Sequence, residues 1–288
     1  MPQVALVTCA ELPDLDPDDQ LLLPPLAARG VEAVPAVWDD PAVDWAGFDL
    51  VVVRNPWDYA RRRDEFLAWA RSVPRLANPV KIIEWNTDKR YLRDLATAGV
   101  PVVPTTWLEP GGVVELPEAG EYVLKPAVSA GSADTGRYRL SDPAERRLAE
   151  ELAARLLGRG ATVMLQPYLS AVDTAGETAL LHFDGVYSHA IRKGPMLDGP
   201  YRGDDGELFR AEQIDPRVPA AAERELARAA LDVVPGSHQD LLYARVDVIP
   251  GADGTPVVLE VELTEPSVFL AHADGAAGRL ADAIVARL

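Results

Sequence analysis

Short apolar runs alternate with amphipathic stretches over the first eighty residues. VALVTC (4–9), VEAVPAVW (31–38) and FDLVVVRN (48–55) predict buried strands, with Cys9 in a core setting. DDQLLLPPLAARG (18–30) predicts a helix broken near Pro24 and closed by Gly30, and RRDEFLAWARSV (62–73) an amphipathic helix. Strands alternating with helices predict a parallel sheet of the α/β kind. Further on, NTDKRYLRDLATAG (86–99) predicts a helix with Asn86 or Thr87 as cap and Gly99 as stop. VPVVPTTWL (100–108), EYVLKPA (121–127) and ATVMLQPYL (161–169) are extended, and PAERRLAEELAARLLGRG (143–160) is helical. VSAGSADTG (128–136) is a loop of small residues.

The last third is richer in hairpins. Asp184-Gly185 sits between two alternating runs in TALLHFDGVYSHAIRK (178–193), a strong turn signal. A polar stretch (194–216) and a helix (220–234) follow, then a second hairpin over 241–267 and a short helix over 275–288. In VVLEVELTEP (257–266), Val257, Leu259, Val261 and Leu263 share one face and Glu260 and Glu262 the other. With Asp253-Gly254 as a two-residue turn, Ala252 faces Thr255, Asp247 faces Glu260 and Arg245 faces Glu262. Ala244, Val246, Val248, Leu259 and Val261 then form the core face. Three carboxylates in one patch repel unless something positive sits among them, and one arginine does not neutralise three. Hard oxygen ligands on a rigid sheet suit Mg²⁺ reaching on to substrate phosphates. The plainer reading is a solvated sheet face.

Bulk properties narrow the partners. The 288 residues suffice for two or three lobes, and a net charge of −17 argues against nucleic acid or an anionic membrane surface. One cysteine excludes an internal disulfide and any cysteine-based zinc site. No apolar run approaches membrane-helix length and no secretory signal is visible, so a cytoplasmic location is expected. DLDPDD (14–19) lacks the glycine and terminal glutamate of a calcium loop and reads as an acidic cap for the next helix.

A phosphate-binding metal asks for a nucleotide site, yet neither a P-loop nor a dinucleotide fingerprint is present. Instead Lys89 heads a helix, and Lys125 ends a strand just before a loop containing Ser129, Gly131 and Ser132, small enough to bring backbone amides to phosphate oxygens. Arg54 follows an apolar strand at its carboxyl end, where α/β sheets bind ligands, with Trp57 and Tyr59 close behind. It either anchors a substrate carboxylate or caps a loop through carbonyl bonds.

Taken in order, NTDKRYL, YVLKP with its loop, VMLQPYL, Gly176-Glu177, ARVDVI and LEVELTEPS resemble the ATP-grasp superfamily, over about Asn78 to Phe269. The resemblance implies three lobes: an N-terminal α/β lobe (1–85), a central lid lobe (86–169) and a C-terminal antiparallel lobe (170–288). It implies ATP and Mg²⁺, with Lys89 and Lys125 on the phosphates and Gln166, Pro167, Tyr168 and Leu169 as the adenine hinge. Asp173 is then the ribose candidate, and Asp247, Glu260 and Glu262 carry Mg²⁺; many members have asparagine where this chain has Glu262. Arg245, Arg192 and Lys193 are expected to stabilise transferring charge, and Arg54, Trp57 and Tyr59 to meet the substrate. The implied chemistry is an acyl phosphate made from a carboxylate and captured by an amine. VVVRNPWDY, EWNTDKRYLRDL and LEVELTEPS further resemble the branch of O-ureido-serine cyclo-ligases, which close the cycloserine ring on a small amino-acid-like substrate. Joining two amino acids, or nucleotide binding without turnover, are the alternatives. A homodimer is expected from base rates alone.

Overall fold

The computed structural model describes residues 1–201, 203 and 213–288; part of the polar stretch at 194–216 lies outside these. The chain starts with β1 (Gln3–Thr8), α1 (Pro17–Gln20), α2 (Leu23–Ala28), β2 (Glu32–Val37), β3 (Leu50–Asn55), α3 (Arg63–Ser72) and β4 (Leu76–Ala77). The strands form a parallel sheet in the order β2-β1-β3-β4. The break in the first helix falls at Leu21–Leu22 rather than at Pro24, because Pro24 and Pro25 occupy the first turn of α2, where a missing N–H costs nothing. One face of the sheet is covered by an aromatic cluster of Trp38, Phe66 and Trp69, with Cys9 fully buried among it.

Next come α4 (Val80–Asn86) and α5 (Tyr91–Thr97). The helix expected over 86–99 starts only at Tyr91, and the proposed cap Asn86 belongs to a separate helix, α4, that ends there. Asn86 ends α4, and its side chain is taken by strand edge: Nδ2 donates to Val261 O at 2.7 Å and Oδ1 accepts from Leu263 N at 2.7 Å. A second sheet has the order β5-β8-β6-β7, from β5 (Thr106–Leu108), β6 (Glu121–Pro126), β7 (Gly136–Arg139) and β8 (Val163–Pro167), with α6 (Pro143–Gly158) packed on it.

After α7 (Val172–Ala175) the third sheet is antiparallel throughout: β9 (Glu177–Phe183), β10 (Val186–Lys193), β11 (Ile214–Arg217), β12 (Tyr243–Pro250) and β13 (Pro256–Glu262), in the order β11-β10-β9-β12-β13. The helices α8 (Ala221–Leu231) and α9 (Ala276–Val285) complete the chain. Asp184 and Gly185 have φ of 51° and 73°, as a type I′ turn requires. One face of this sheet, through Leu180, Val246 and Val261, packs on α5 and α8. The other, through Leu181, Phe183 and Tyr243, shares a core with α2, α9 and the parallel sheet. Along β12 this second face runs Tyr243, Arg245, Asp247, Ile249, because alternate residues point the same way. Where the apolar filling stops, the cavity begins. Among the described residues no helix is long and apolar enough to cross a membrane.

Candidate active site

A cavity of about 430 Å³ lies where the three sheets meet. Its charged floor is the end of the second face of the antiparallel sheet. Asp247 pairs with Glu260 and Arg245 with Glu262, as the hairpin reading predicts. The turn is different from the expected one. Gly251 N bonds Thr255 O and Pro250 pairs with Pro256, so the ladder near the turn is offset by one residue. A bulge at Leu259 cancels the offset before Glu260 is reached. It also moves Leu259 off the predicted core face: Leu259 packs with Ile249, Val103 and Val172 beside the hinge and lines the cavity.

Three cations pair with these carboxylates, not one, and a fourth lines the same cavity. Lys193 Nζ donates to Asp247 Oδ2 at 2.6 Å and lies 3.2 Å from Glu177 Oε2. Arg245 Nε donates to Asp247 Oδ1 at 2.9 Å, and its Nη2 ion-pairs Glu262. Lys89 Nζ donates to Ser129 O at 2.8 Å and lies 3.1 Å from Glu260 Oε1. Lys125 is the exception. Its side chain is buried at the end of β6 and lines the cavity, yet its ammonium has no hydrogen-bond or ion-pair partner among the described residues. The repulsion posed by the sequence is thus relieved largely by lysines from three other segments.

Protonation follows from this layout. Burial alone would raise Asp247 and Glu260, but Arg245 and Lys193 outweigh it at the first and Lys89 and Lys125 at the second, so both carboxyls stay below their ordinary values. Glu262 goes the other way, up to about 7: burial, Glu260 and Asp247 together exceed the pull of Arg245, which it shares with Asp247. Glu265 rises to about 8, from burial and then Glu262, with Tyr59 opposing. Burial likewise raises Glu177, against Lys193. Lys125 is lowered by burial, Glu260 opposing and Lys89 adding to the effect.

A divalent cation suits part of this set. Glu260 and Glu262 are hard oxygen donors on one strand face with side chains 23% and 26% exposed to the cavity, and burial with two neighbouring carboxylates raises Glu262 despite Arg245. Asp247 is 2% exposed with both oxygens bonded, and becomes a ligand only if Lys193 or Arg245 lets go. No three acidic or histidine side chains among the described residues already converge as a metal cluster.

The expected nucleotide residues fall in one wall. Gln166, Pro167, Tyr168 and Leu169 line the cavity, as do Ser129, Gly131 and Ser132, the last two with φ of 58° and 59°. Tyr168 N is used by Glu121 O at 2.8 Å, and Gln166 Nε2 by Thr105 at 2.9 Å, while the Leu169 amide has no acceptor among the described residues. Trp57 and Tyr59 line the opposite wall.

Three expected residues stand elsewhere. Arg54 is fully buried: Nε donates to Asp19 Oδ1 at 2.9 Å, Nη2 to Pro266 O at 2.6 Å and Nη1 to Val53 O at 3.3 Å. It caps carbonyls and does not line the cavity. Arg192 faces away from the cavity, holding Ala175 O at 2.8 Å and Thr174 O at 3.1 Å. A bulge at Ser188 shifts β10 by one, so Lys193, not Arg192, pairs with Glu177. Asp173 lies outside the lining, accepting from Tyr168 OH at 2.5 Å and Arg137 at 3.4 Å. Glu177 and Glu265 were not among the predicted site residues. Glu177 was legible from the alternation of the first hairpin, whereas nothing in TEPS marks Glu265. The DLDPDD segment caps as expected: Asp16 accepts from Asp18 N at 2.9 Å.

Comparison with known proteins identifies the family and the fold. The family described as the N-terminal domain of D-cycloserine synthetase DcsG matches residues 4–78. The chain is 42% identical to the cycloserine biosynthesis protein DcsG of Streptomyces lavendulae, covering 99% of this chain and 98% of that protein. The crystal structure of D-cycloserine synthetase DcsG superposes with a TM-score of 0.86 at 41% identity, covering 99% of each chain. D-alanine–D-alanine ligase from Bacillus anthracis, complexed with ATP, shares the fold at 17% identity and a TM-score of 0.65, covering 100% of this chain and 97% of that one. The ATP-grasp ligase PsnB shares it at 20% and 0.63, covering 100% and 99%. The chain therefore belongs to the DcsG family of D-cycloserine synthetases within the ATP-grasp fold, and it is an ATP-dependent ligase of cycloserine biosynthesis.

Proposed function

We propose that the chain is an intramolecular cyclo-ligase that converts O-ureido-D-serine to D-cycloserine. The substrate carboxylate attacks the γ-phosphorus of ATP, giving an acyl phosphate and ADP. The aminooxy nitrogen then attacks the acyl carbon, closes a five-membered ring and expels phosphate. One water removes the carbamoyl group as CO₂ and ammonia. The observation that carries this reading is the full-length 42% identity to a cycloserine biosynthesis protein. Joining nucleophile and electrophile in one molecule needs no second substrate pocket, and proximity supplies much of the rate.

The cavity supports a division of labour. The apolar slot of Val103, Val172, Ile249 and Leu259 takes the adenine, with the Leu169 amide as its donor. Lys89 and Lys125 hold phosphates, beneath the left-handed turn at Gly131 and Ser132. Glu260 and Glu262 would hold Mg²⁺, which would supply positive charge for the phosphates. Arg245, held by Asp247, Glu262 and Ser267 O, presents positive charge to the substrate carboxylate and then to the acyl phosphate. Lys193 keeps Asp247 ionised and in position. Trp57 and Tyr59 wall the substrate side and exclude water from the acyl phosphate.

The test is ADP release with ATP, Mg²⁺ and O-ureido-D-serine, followed by product mass. The expected result is one ADP per D-cycloserine formed. ADP released only when a second amino acid is supplied, with a dipeptide mass, overturns the cyclo-ligase reading in favour of intermolecular ligation.

A further inference from the structure

Charge in the cavity does not balance. Glu177, Asp247, Glu260 and Glu262 each lie against a lysine or arginine, but Glu265 has no cation at ion-pair distance among the described residues. Lys89 pulls on it only from further off. Asp16 and Asp18, the other wall carboxylates without a salt bridge, are spent on backbone: Asp16 caps α1, and Asp18 accepts from Leu270 N at 2.7 Å and Ala271 N at 2.8 Å. The hydroxyl of buried Tyr59 stands beside Glu265 and is neutral, its ionisation suppressed by burial and the surrounding carboxylates.

The segment that carries Glu265 is fixed with unusual care. Three consecutive carbonyls are each held by a different side chain: Glu265 O by Trp57 Nε1 at 3.2 Å, Pro266 O by Arg54 Nη2 at 2.6 Å, and Ser267 O by Arg245 Nη1 at 3.1 Å. Arg245 and Glu265 are thereby placed at the two ends of a three-residue span, at most about 7 Å of chain. A cation and a carboxyl that Tyr59 bonds but no described cation pairs, at that spacing, match a zwitterion whose carboxylate and ammonium share one carbon.

We propose that Glu265 receives the α-ammonium of the amino-acid substrate, opposite Arg245 on the carboxylate, and so fixes which end of the substrate meets the γ-phosphate. The inference rests on the amino-acid ligase reading above and deepens it. The substrate ammonium supplies the cation that no described residue gives Glu265, and an acid without an α-amino group leaves this half-buried carboxyl without one, which the site rejects. Arg54 and Trp57 act through Glu265, as positioning residues.

The experiment compares kcat/KM for O-ureido-D-serine and for its analogue with hydrogen in place of the α-amino group, 3-(ureidooxy)propanoate, in the wild type, E265Q and D16N. The wild type is expected to prefer the amino substrate by roughly 10- to 100-fold, the range of a hydrogen bond to a charged group. In E265Q this ratio collapses toward one, with the change in KM rather than kcat. A ratio unchanged in E265Q, or lost in D16N instead, overturns the assignment. Should the wild type turn over neither compound, the cyclo-ligase reading fails separately. Binding of D-serine against 3-hydroxypropanoate with Mg²⁺ and AMP-PNP, measured by calorimetry, then decides Glu265 by the same ratio. AMP-PNP binding by E265Q with an affinity near the wild type's shows that the variant is folded.

Discussion

Arg54 and Lys125 are both buried cations at the carboxyl ends of strands, and they are opposites. Arg54 spends donors on Asp19, Pro266 O and Val53 O and lies 4.9 Å from the Tyr243 ring centre. Lys125 has no partner among the described residues and faces the cavity. A buried charge whose bonds are complete is architecture. One left incomplete is a request for a ligand, since burial without a partner is expensive.

This contrast can be broken by substitution. Arg54→Met leaves Asp19 buried without its ion-pair partner and is expected to lower unfolding free energy by about 3–5 kcal/mol, read from urea titrations. Lys125→Met is expected to cut ADP formation by about 10²–10³-fold, the scale of losing one donor to a transferring group, while stability stays level or rises. Arg54→Met as stable as the wild type, or Lys125→Met active, would reverse the two roles.

A smaller effect separates the carboxylates. Glu262 is pushed up to about 7 in the ligand-free fold, mainly by burial, from an ordinary value near 4.5. At this group the folded state therefore binds more protons than the unfolded state between these values, so the contribution of Glu262 to stability is fully present below about pH 4.5 and is lost as pH rises through 7. The total change from this group is expected to be at most about 3 kcal/mol and to vanish in Glu262→Gln, with Tm against pH as the measurement. Smallest of all is Asp173→Asn. Its carboxylate is engaged by Tyr168 and Arg137 outside the cavity, so KM for ATP is expected to move less than about threefold. A larger rise would return Asp173 to the ribose.

Much of this was legible in the sequence because strand alternation carries the chemistry. Arg245 and Asp247 share a face by parity alone, as do Glu260 and Glu262, and Lys125 ends its strand at the loop. What was hidden depended on single-residue insertions and on contacts far apart in sequence. Bulges at Leu259 and Ser188 leave no mark in apolar patterning, yet the first moves Leu259 to the cavity and the second selects Lys193 over Arg192. The two-residue turn gave the right pairing at Asp247 because its error and the bulge cancel. Asn86 looks like a helix cap and instead satisfies the backbone of β13, 175 residues away. Lys89 and Lys193 as partners of Glu260 and Asp247 required the assembled sheets.

The most direct measurement is a crystal structure with AMP-PNP and Mg²⁺. The account predicts both Lys89 and Lys125 within hydrogen-bond distance of phosphate oxygens, Mg²⁺ on Glu260 and Glu262, and adenine against the Leu169 amide. A nucleotide bound with Lys125 still unpartnered, or seated away from β13, would contradict it.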